Sequence, residues 1–435
     1  MHNMKINDNS KSITIPLALL ISVPFIQWGA SPYLSFQMFC FLILFASIDY
    51  RTVATIIPIL VFVALGMFAG TLFYTGSPYF LHSMLKVIRE VLCLFILMAI
   101  YDSIPKHSSG DSPTIKSVVS WTILVILIST ALQFYFYNFR SSTMFFVPAK
   151  FYIGDFGTFA DSWTTFAQQH ALSIKIRPSS FYSEPSYLGF IALSLLAIVL
   201  KVFPEGVRKH ALILTLLVSL ALSQTLSGLI SFVLLLSAFY FKEIRRMHPL
   251  IVTEVLLLVP IYFLLFPVPA IFLRLLDIGD PHRELSGFVR LVLPFEIIGK
   301  VLLHRPLGVP QDELMGYLSR HFVGDPVDMF RMSSYGGLRV AGLDNAFLNF
   351  FIFYGMLGLV VVWTFVKQIK DRFLLFYLFL TAFFNGALLS FDKVAVISTV
   401  FLIVGRWRLR GMELANCDAI SVRPELGSGL DKTSR

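Results

Sequence analysis

The sequence has little charge and little cysteine. Only 14% of its 435 residues are charged, against roughly 25% in an average soluble domain, which argues against a water-soluble enzyme. Of the three cysteines, Cys40 and Cys93 lie inside apolar runs and Cys417 lies near the C-terminus. No pair is therefore placed for a disulfide in an outer loop, and the cysteines do not suggest a metal site.

Familiar nucleotide-binding and catalytic motifs are also missing. The sequence contains no Walker A loop, no dinucleotide-binding glycine fingerprint, no HExxH, no GxSxG and no CxxC. We therefore expect no cofactor, no metal and no direct use of ATP. A substrate has to arrive already activated.

Long apolar runs dominate what is present. Hydrophobic residues make up 56% of the chain, and phenylalanine alone occurs 44 times. The uncharged stretch 52–74 reaches the ~20 residues that a membrane-spanning helix needs. The sequence predicts an all-α integral membrane protein with about twelve spans, near residues 13–28, 33–48, 52–74, 84–101, 117–138, 186–200, 211–223, 228–241, 249–266, 344–366, 373–390 and 393–405.

The net charge of +9 reports membrane orientation and does not indicate nucleic-acid binding. With the N-terminus inside, twenty of the 35 lysine and arginine residues fall in the seven segments on the cytoplasmic side, as the positive-inside rule requires. Both termini are therefore predicted to be cytoplasmic, in the cytoplasmic (inner) membrane of a bacterium. The predicted divisions are 1–138 (spans one to five), 139–185 (first outer segment), 186–266 (spans six to nine), 267–343 (large outer segment), 344–405 (spans ten to twelve) and 406–435 (cytoplasmic tail).

Two stretches leave the helix boundaries open. Residues 211–241 form either a tight hairpin of two spans or one long tilted helix. Residues 285–303 have the length of a span, but Arg290, Glu296 and Lys300 argue against crossing, because a charge at mid-bilayer costs ~2.5–3.5 kcal/mol. We expect an amphipathic helix on the outer membrane surface there.

The large outer segment favours arginine over lysine. It has one lysine, Lys300, whereas the cytoplasmic segments have ten of each. A guanidinium binds phosphate oxygens through a planar fork of donors, which an ammonium cannot do. The alternative is that these arginines pair with the eight acidic residues of the same segment. The arginines are Arg274, Arg283, Arg290, Arg305, Arg320, Arg331 and Arg339.

The stretch RPSSFYSEPSYLGF, residues 177–190, places an arginine and a glutamate at the entrance to an apolar run. Pro185 suits the first turn of a helix, which puts Glu184 at or near the N-cap. Glu184 is therefore either a helix cap or a functional carboxylate, and Arg177 is either an interfacial anchor or an anion ligand. Asp344 and Asn345 at the start of a later span have the same two interpretations, a helix cap or a functional pair.

These motifs resemble the O-antigen polymerase and ligase superfamily, the Wzy-type enzymes of bacterial surface polysaccharide assembly. The resemblance covers about residues 177–360. It rests on RPSSFYSEPSYLG from Arg177, on Arg290 followed by HRPLGVPQDE from His304, and on DNAFLNFFIFYGMLGL from Asp344. Ligases of the superfamily have His-Asn where this chain has Asp344-Asn345, which favours a polymerase over a ligase.

The resemblance implies a GT-C-like membrane architecture and a glycosyltransferase. Such a polymerase of O-antigen, capsule or exopolysaccharide transfers a glycan from undecaprenyl diphosphate to another lipid-linked repeat on the outer leaflet. It works among membrane lipids, beside a chain-length regulator and a flippase. The implied roles are a catalytic base (Glu184 or Asp344), diphosphate ligands (Arg177, Arg290, Arg305 and Arg339) and sugar or lipid contacts (Phe181, Tyr182, Tyr187 and His304).

Three alternatives stay open at the level of sequence. A ligase differs in its acceptor and not in its fold. A lipid-linked oligosaccharide flippase or transporter is a different class, but transporters place binding residues near the bilayer midplane, often between two related halves. Here the ionisable residues concentrate in the outer segments and the halves do not resemble each other. A structural scaffold has no need of an arginine-rich outer segment.

Overall fold

The computed structural model describes residues 8–31, 34–48, 50–103, 113–140, 146, 177–241, 276, 285–321, 345–386 and 388–405. Over these residues the regular structure is helical, with one isolated bridge between Gly29 and Ser35 and no strand. The predicted all-α class is therefore confirmed for the part of the chain that the structure describes.

The helices, numbered in chain order, begin and end as follows: α1 Asp8–Ser22, α2 Phe36–Ala46, α3 Tyr50–Leu72, α4 Phe80–Ser103, α5 Pro113–Phe139, α6 Pro185–Val202, α7 Val207–Ser223, α8 Leu226–Phe239, α9 Leu285–Leu291, α10 Leu293–His304, α11 Gln311–His321, α12 Ala346–Tyr354, α13 Leu357–Gln368, α14 Arg372–Phe384 and α15 over residues 391–405. A short 3-10 turn, Val23–Phe25, follows α1.

Two described helices, Pro113–Phe139 and Pro185–Val202, are long and apolar enough to cross a bilayer unaided, and several shorter helices are apolar. Each of the first five predicted spans coincides with a helix. The predicted span 249–266 lies outside the described residues. The count of twelve spans therefore stays a prediction.

Helix α6 is the centre of the bundle. It packs against α5, α7, α8 and α14, and nearly all of its side chains are buried. Gly189 of α6 faces Gly228 of α8 so closely that a Cβ on Gly189 would lie 2.9 Å from the Cα of Gly228. Small residues at such a crossing let two helix backbones approach, as is common in membrane bundles.

Large apolar side chains point outward from the surrounding helices. Phe62, Leu65, Trp121 and Trp363 are 63%, 64%, 63% and 64% exposed. Soluble monomers rarely expose apolar patches of this kind, because water disfavours them. The exposed rings suit contact with lipid.

Three predicted helical stretches are each divided into two helices. Residues 207–239 form α7 and α8, joined at Gln224 in the left-handed conformation (φ 52°), so the two-helix alternative is correct. Residues 285–304 form α9 and α10 with Val292 between them. Pro294 lies in the first turn of α10, and its ring would clash with a carbonyl four residues earlier in a continuous helix.

The predicted span 344–366 breaks at Gly355, between α12 and α13. Residues 305–310 fill this break: the Met356 N–H donates to the Pro306 carbonyl at 2.8 Å, and the Val309 N–H donates to the Ile352 carbonyl at 2.9 Å. Non-helical backbone inside a membrane protein needs such partners. The break therefore joins two of the three segments that carry the superfamily resemblance.

Candidate functional site

The loop 177–184 is clamped from one side by Gln133 of α5. The Gln133 Oε1 accepts from the backbone N–H groups of Ser179 (2.9 Å) and Ser180 (2.7 Å), and its Nε2 donates to the Ser180 carbonyl (3.0 Å). The Ser129 and Ser180 hydroxyls are 2.5 Å apart. Gln133 is fully buried, so this clamp is shielded from competing water.

The other side of the loop is held by Gln27 and Trp28. The Gln27 Oε1 accepts from the backbone N–H (3.0 Å) and the hydroxyl (3.1 Å) of Ser183. The Trp28 Nε1–H donates to the Phe181 carbonyl at 3.0 Å. Because hydrogen bonds hold the loop on both sides, to α5 and to the turn that follows α1, the segment before α6 has a fixed geometry.

Glu184 occupies the N-cap position of α6, and Pro185 follows at the first helical position, as predicted. Its backbone is extended (φ −147°, ψ 153°), but its side chain accepts no capping hydrogen bond. The carboxylate makes no hydrogen bond or ion pair with any residue that the structure describes, and the residue is only partly buried. The cap interpretation therefore does not account for the glutamate side chain.

Arg177 lies at the same end of the bundle as Glu184. Its Nη1 donates to the Gln224 carbonyl at 3.3 Å. The neighbouring Thr225 hydroxyl donates to the Pro185 carbonyl at 2.9 Å. The turn between α7 and α8 therefore links the arginine to the start of the helix that carries the glutamate.

The three aromatic residues of this motif differ in exposure. Tyr182 and Tyr187 are buried, with ring centroids 5.4 Å apart. Phe181 is partly exposed and lies between Trp28 (6.0 Å) and Phe146 (5.3 Å). Of these three residues, Phe181 is therefore the one that is accessible from the surface, and the two tyrosines pack in the core beneath the loop.

Arg290 and Asn345 meet, although they are far apart in the sequence. The Asn345 Nδ2 donates to the Arg290 carbonyl at 3.0 Å, and its Oδ1 accepts from the Leu348 N–H at 3.1 Å. Asn345 therefore caps α12, and Arg290 is 7% exposed. Asp344 and Arg339 lie outside the described residues. Of the pair Asp344-Asn345, the structure therefore shows a capping role for Asn345 and does not describe Asp344.

His304 and Arg305 end α10 on the surface. The His304 Nδ1 hydrogen-bonds the Lys300 carbonyl at 2.9 Å, which requires a proton on that nitrogen. Arg305 is exposed and begins the segment 305–310 that fills the helix break. It also acts electrostatically on Tyr317, where burial raises the pKa of the phenol and the guanidinium opposes that shift.

Helix α11, from the predicted large outer segment, is tied to α4. The Lys86 Nζ lies 2.5 Å from Asp312 Oδ1, while His82 Nδ1 and the Ser83 hydroxyl each lie 3.1 Å from Asp312 Oδ2. Burial raises the pKa of Asp312, but these three neighbours outweigh burial and hold that pKa below its ordinary value. The Ser77 hydroxyl also donates to Glu313.

Sequence reasoning missed Gln27, Trp28, Gln133 and Asp392. Asp392, at the start of α15, is 7% exposed and lies in electrostatic contact with Tyr187 and Cys93. The sequence did offer a signal for these residues, because each has a polar group inside or beside an apolar run. A polar group inside a membrane is costly, and those that are present often have a function. The described residues contain no group of three or more metal-ligating side chains.

Comparison with known families then decides the class of protein. A family model described as WcaD colanic acid polymerase matches residues 34–406, which include every motif named above. The chain belongs to this family. No curated protein and no solved structure matches it.

Membership of the WcaD colanic acid polymerase family confirms the predicted function class. The chain is a polysaccharide polymerase, a membrane protein of polysaccharide biosynthesis that acts on a lipid-linked oligosaccharide. The ligase and the transporter alternatives are not supported. Proteins of this family are typically integral proteins of the inner membrane.

Proposed function

We propose that this WcaD-family polymerase transfers a growing glycan from an undecaprenyl diphosphate carrier to the sugar end of a second lipid-linked repeat, on the outer leaflet. The observation that carries the proposal is the Glu184 carboxylate, which makes no hydrogen bond or ion pair with any residue in the part of the chain that the structure describes. It projects from a clamped loop and is joined to Arg177 through the turn at Gln224 and Thr225. A rigid support of this kind is what a reacting group requires.

Glu184 is the proposed general base. It accepts the proton of the acceptor hydroxyl while that oxygen bonds to the anomeric carbon of the donor sugar. The bond from that carbon to the diphosphate oxygen breaks, and its electron pair leaves with the lipid diphosphate. Asp344 is the second candidate for this base.

The guanidinium groups are proposed to stabilise the leaving diphosphate. Arg177 and Arg290 are the first candidates, followed by Arg305 and Arg339. Donors aimed at the position where negative charge develops lower the barrier most in a site that excludes water. The position of Arg177 at the same end of the bundle as Glu184, and the contact of Arg290 with Asn345 at the start of α12, support this role.

The remaining residues of the motifs are proposed to contact the sugar or the lipid tail. The partial exposure of Phe181 and the exposure of His304 at the end of α10 support such a contact. Tyr182 and Tyr187 are buried, so a direct contact requires the loop to open over them. These roles fit an enzyme that holds an apolar chain beside a polar glycan.

The proposed orientation puts both termini in the cytoplasm and the segments 139–185 and 267–343 outside, as the distribution of lysine and arginine indicates. The proposed product is a bacterial surface polysaccharide, with colanic acid the first to examine because the family carries that name. A flippase that delivers repeats and a chain-length regulator are the proposed partners. The motif resemblance supports a place in the Wzy-type superfamily.

The test uses strains that lack the chain and express Arg177→Lys or Glu184→Gln at normal levels. Arg177→Lys keeps the charge and removes the fork of donors, and Glu184→Gln keeps the shape and removes the base. We expect glycan of a single repeat to accumulate in both variants. In the glutamine variant the rate of polymerisation should fall by a factor of roughly 10² to 10⁴, because the general base is lost.

The matched controls are Arg208→Lys and Glu205→Gln, which change the same residue types at the predicted cytoplasmic end of α6 and α7. Arg208 donates to the Ser120 hydroxyl and Glu205 pairs with Lys209. Both controls should give normal ladders. Normal ladders from Arg177→Lys and Glu184→Gln as well would reject the assigned roles.

A further inference from the structure

One face of α4 carries polar side chains at the predicted outer end of the bundle. His82, Lys86 and Glu90 are spaced four residues apart, so they lie one above another on the same side of the helix. Charged residues within an apolar helix are costly in a membrane and often mark a functional site. We call these three residues the α4 stripe, and each of them binds a partner on another helix.

His82 and Lys86 hold the start of α11. Both bind the carboxylate of Asp312, Lys86 through Oδ1 at 2.5 Å and His82 through Oδ2 at 3.1 Å. The side chains of Lys86 and Asp312 are 22% and 15% exposed, so water screens this pair less than it screens a pair on an open surface. The next residue, Glu313, accepts from the Ser77 hydroxyl. The first turn of α11 is therefore attached to the bundle by two adjacent side chains.

Glu90 holds the end of α12. Its Oε2 accepts from the hydroxyl of Tyr354, which is the last residue of α12. Tyr354 is buried, and Gly355, where the helix breaks, follows it with φ 58°. The α4 stripe therefore fixes both the first turn of α11 and the point at which α12 stops.

Segment 305–310 lies between these two fixed points. It joins α10 to α11, and its backbone pairs with residues on both sides of the break through Pro306 and Val309. The approach is close, because a Cβ on Gly308 would lie 2.5 Å from the backbone nitrogen of Gly355. A non-helical segment has no ladder of helical hydrogen bonds of its own, so its position depends on the elements that it contacts. Movement of α11 or of the end of α12 would therefore move this segment.

Arg305 is the charged residue of this segment. It is exposed, and its carbonyl accepts from the Gly308 N–H at 2.8 Å. A binding group is effective when its position is held within about 0.5 Å of the productive one. The two attachments of the α4 stripe can give Arg305 this support, from a helix that carries none of the three sequence motifs.

We propose that the α4 stripe positions Arg305 for the lipid diphosphate. It does so through Asp312 on one side of segment 305–310 and through Tyr354 on the other. The inference rests on the proposed function, because it takes Arg305 as a ligand of the diphosphate. The stripe and its two partners are positioning residues and do not touch the substrate. Contacts that served stability alone would not need to meet both neighbours of the segment that carries this arginine.

The test measures polymerisation by the purified full chain in liposomes, with lipid-linked repeat as the substrate and undecaprenyl diphosphate as the inhibitor. Asp312→Asn and Tyr354→Phe each weaken one attachment with little change of shape, and Asp312→Glu keeps the carboxylate. Arg305→Gln removes the proposed ligand itself, alone and in combination with each of the first two variants. The Tm is recorded for every variant.

Two matched controls break the same kinds of contact elsewhere. Glu205→Gln weakens the pair with Lys209, whose Nζ lies 2.5 Å from Glu205 Oε1. Tyr377→Phe removes a buried tyrosine hydroxyl that lies 2.8 Å from the Ser194 hydroxyl, between α14 and α6. Both controls should leave the inhibition constant of undecaprenyl diphosphate unchanged, whatever they do to the Tm.

We expect Arg305→Gln to raise the inhibition constant of undecaprenyl diphosphate by roughly 10- to 150-fold, the value of a hydrogen bond to a charged group. Asp312→Asn and Tyr354→Phe should each raise it by roughly 2- to 12-fold, because the ligand must then restore the order that one hydrogen bond supplied. Asp312→Glu should lie closer to the wild type. In the Arg305→Gln background neither of these two variants should raise the constant further, because the residue on which it acts is gone.

Two results would overturn the proposal and leave the proposed function intact. If Arg305→Gln raises the inhibition constant and both Asp312→Asn and Tyr354→Phe leave it unchanged, the α4 stripe serves stability alone. If the effects of these variants add in full to that of Arg305→Gln, the stripe acts on a different residue. Should Asp312→Asn not fold, Tyr354→Phe gives the same comparison from the other side of the segment.

Failure of the proposed function gives a different pattern. Undecaprenyl diphosphate would then not inhibit the wild type, and this inference would fall with the proposed function. Inhibition of the wild type and of Arg305→Gln at the same concentration would reject Arg305 as a ligand, and with it the positioning role of the α4 stripe.

Discussion

Replacing Gln133 with leucine should release the loop that carries Arg177 and Glu184. The change removes the acceptor of two backbone N–H groups, those of Ser179 and Ser180, at 2.9 and 2.7 Å. It also removes the donor to the Ser180 carbonyl. In a buried setting these backbone groups cannot turn to water without moving the loop.

The size of the effect follows from the number of bonds. The two N–H bonds contribute about 0.5–1.5 kcal/mol each, so local opening becomes easier by about 1–3 kcal/mol. Amide hydrogen exchange at these two positions should therefore accelerate by roughly 5- to 150-fold. Gln133→Glu keeps the acceptor oxygen, and in the protonated form that burial favours it also keeps a donor, so it should accelerate exchange less.

Hydrogen exchange with mass spectrometry on peptides that cover 177–184 measures this directly, with the interior of α6 as the internal reference. Polymerisation should fall in the same order, Gln133→Leu below Gln133→Glu. Wild-type exchange in Gln133→Leu would refute the clamp. Faster exchange with wild-type polymerisation would refute the link between loop geometry and activity.

Three further outcomes are expected. The pKa of Asp312 is lowered in the folded state, so its contribution to stability is present above about pH 4 and is lost as the pH falls through that lowered pKa. In Asp312→Asn, the Tm should therefore fall less steeply with pH below about pH 4 than it does in the wild type, as thermal unfolding at a series of pH values would measure. Gly308→Ala should lower the Tm, because Gly308 has φ +82° and a Cβ would lie 2.5 Å from the Phe353 carbonyl oxygen, whereas Gly76→Ala, with nothing within 4 Å of its Cβ, should not. Glycan analysis should show single repeats from Arg177→Lys and Glu184→Gln, and normal ladders from either would reject its role.

Local signals in the sequence were sufficient for the helices. Composition and apolar run length predicted an all-α membrane protein, and the first five predicted spans match α1 to α5. Pro185 correctly marked the start of α6. These features depend on residues close in the chain, where length, apolarity and the geometry of proline act directly.

Helix breaks were predicted less well, because they depend on a partner segment. Gly355 interrupts a stretch that has the length of one span, and the interruption is stable because Pro306 and Val309 pair with the freed backbone groups. Residues 344–366 alone do not indicate that segment 305–310 will pair with them. The tie between Lys86 and Asp312 was missed for the same reason, since these residues are 226 positions apart.

By itself the sequence determined the class of this protein: its apolar runs require lipid, its basic clusters indicate an orientation, and its three motifs indicate a polysaccharide polymerase. Tertiary structure alone decided which polar groups are engaged and which remain available. Asn345 caps its helix while Glu184, in the equivalent position, does not. Capping and pairing depend on distances of about 3 Å between residues remote in the chain, and only the packing of the helices sets those distances.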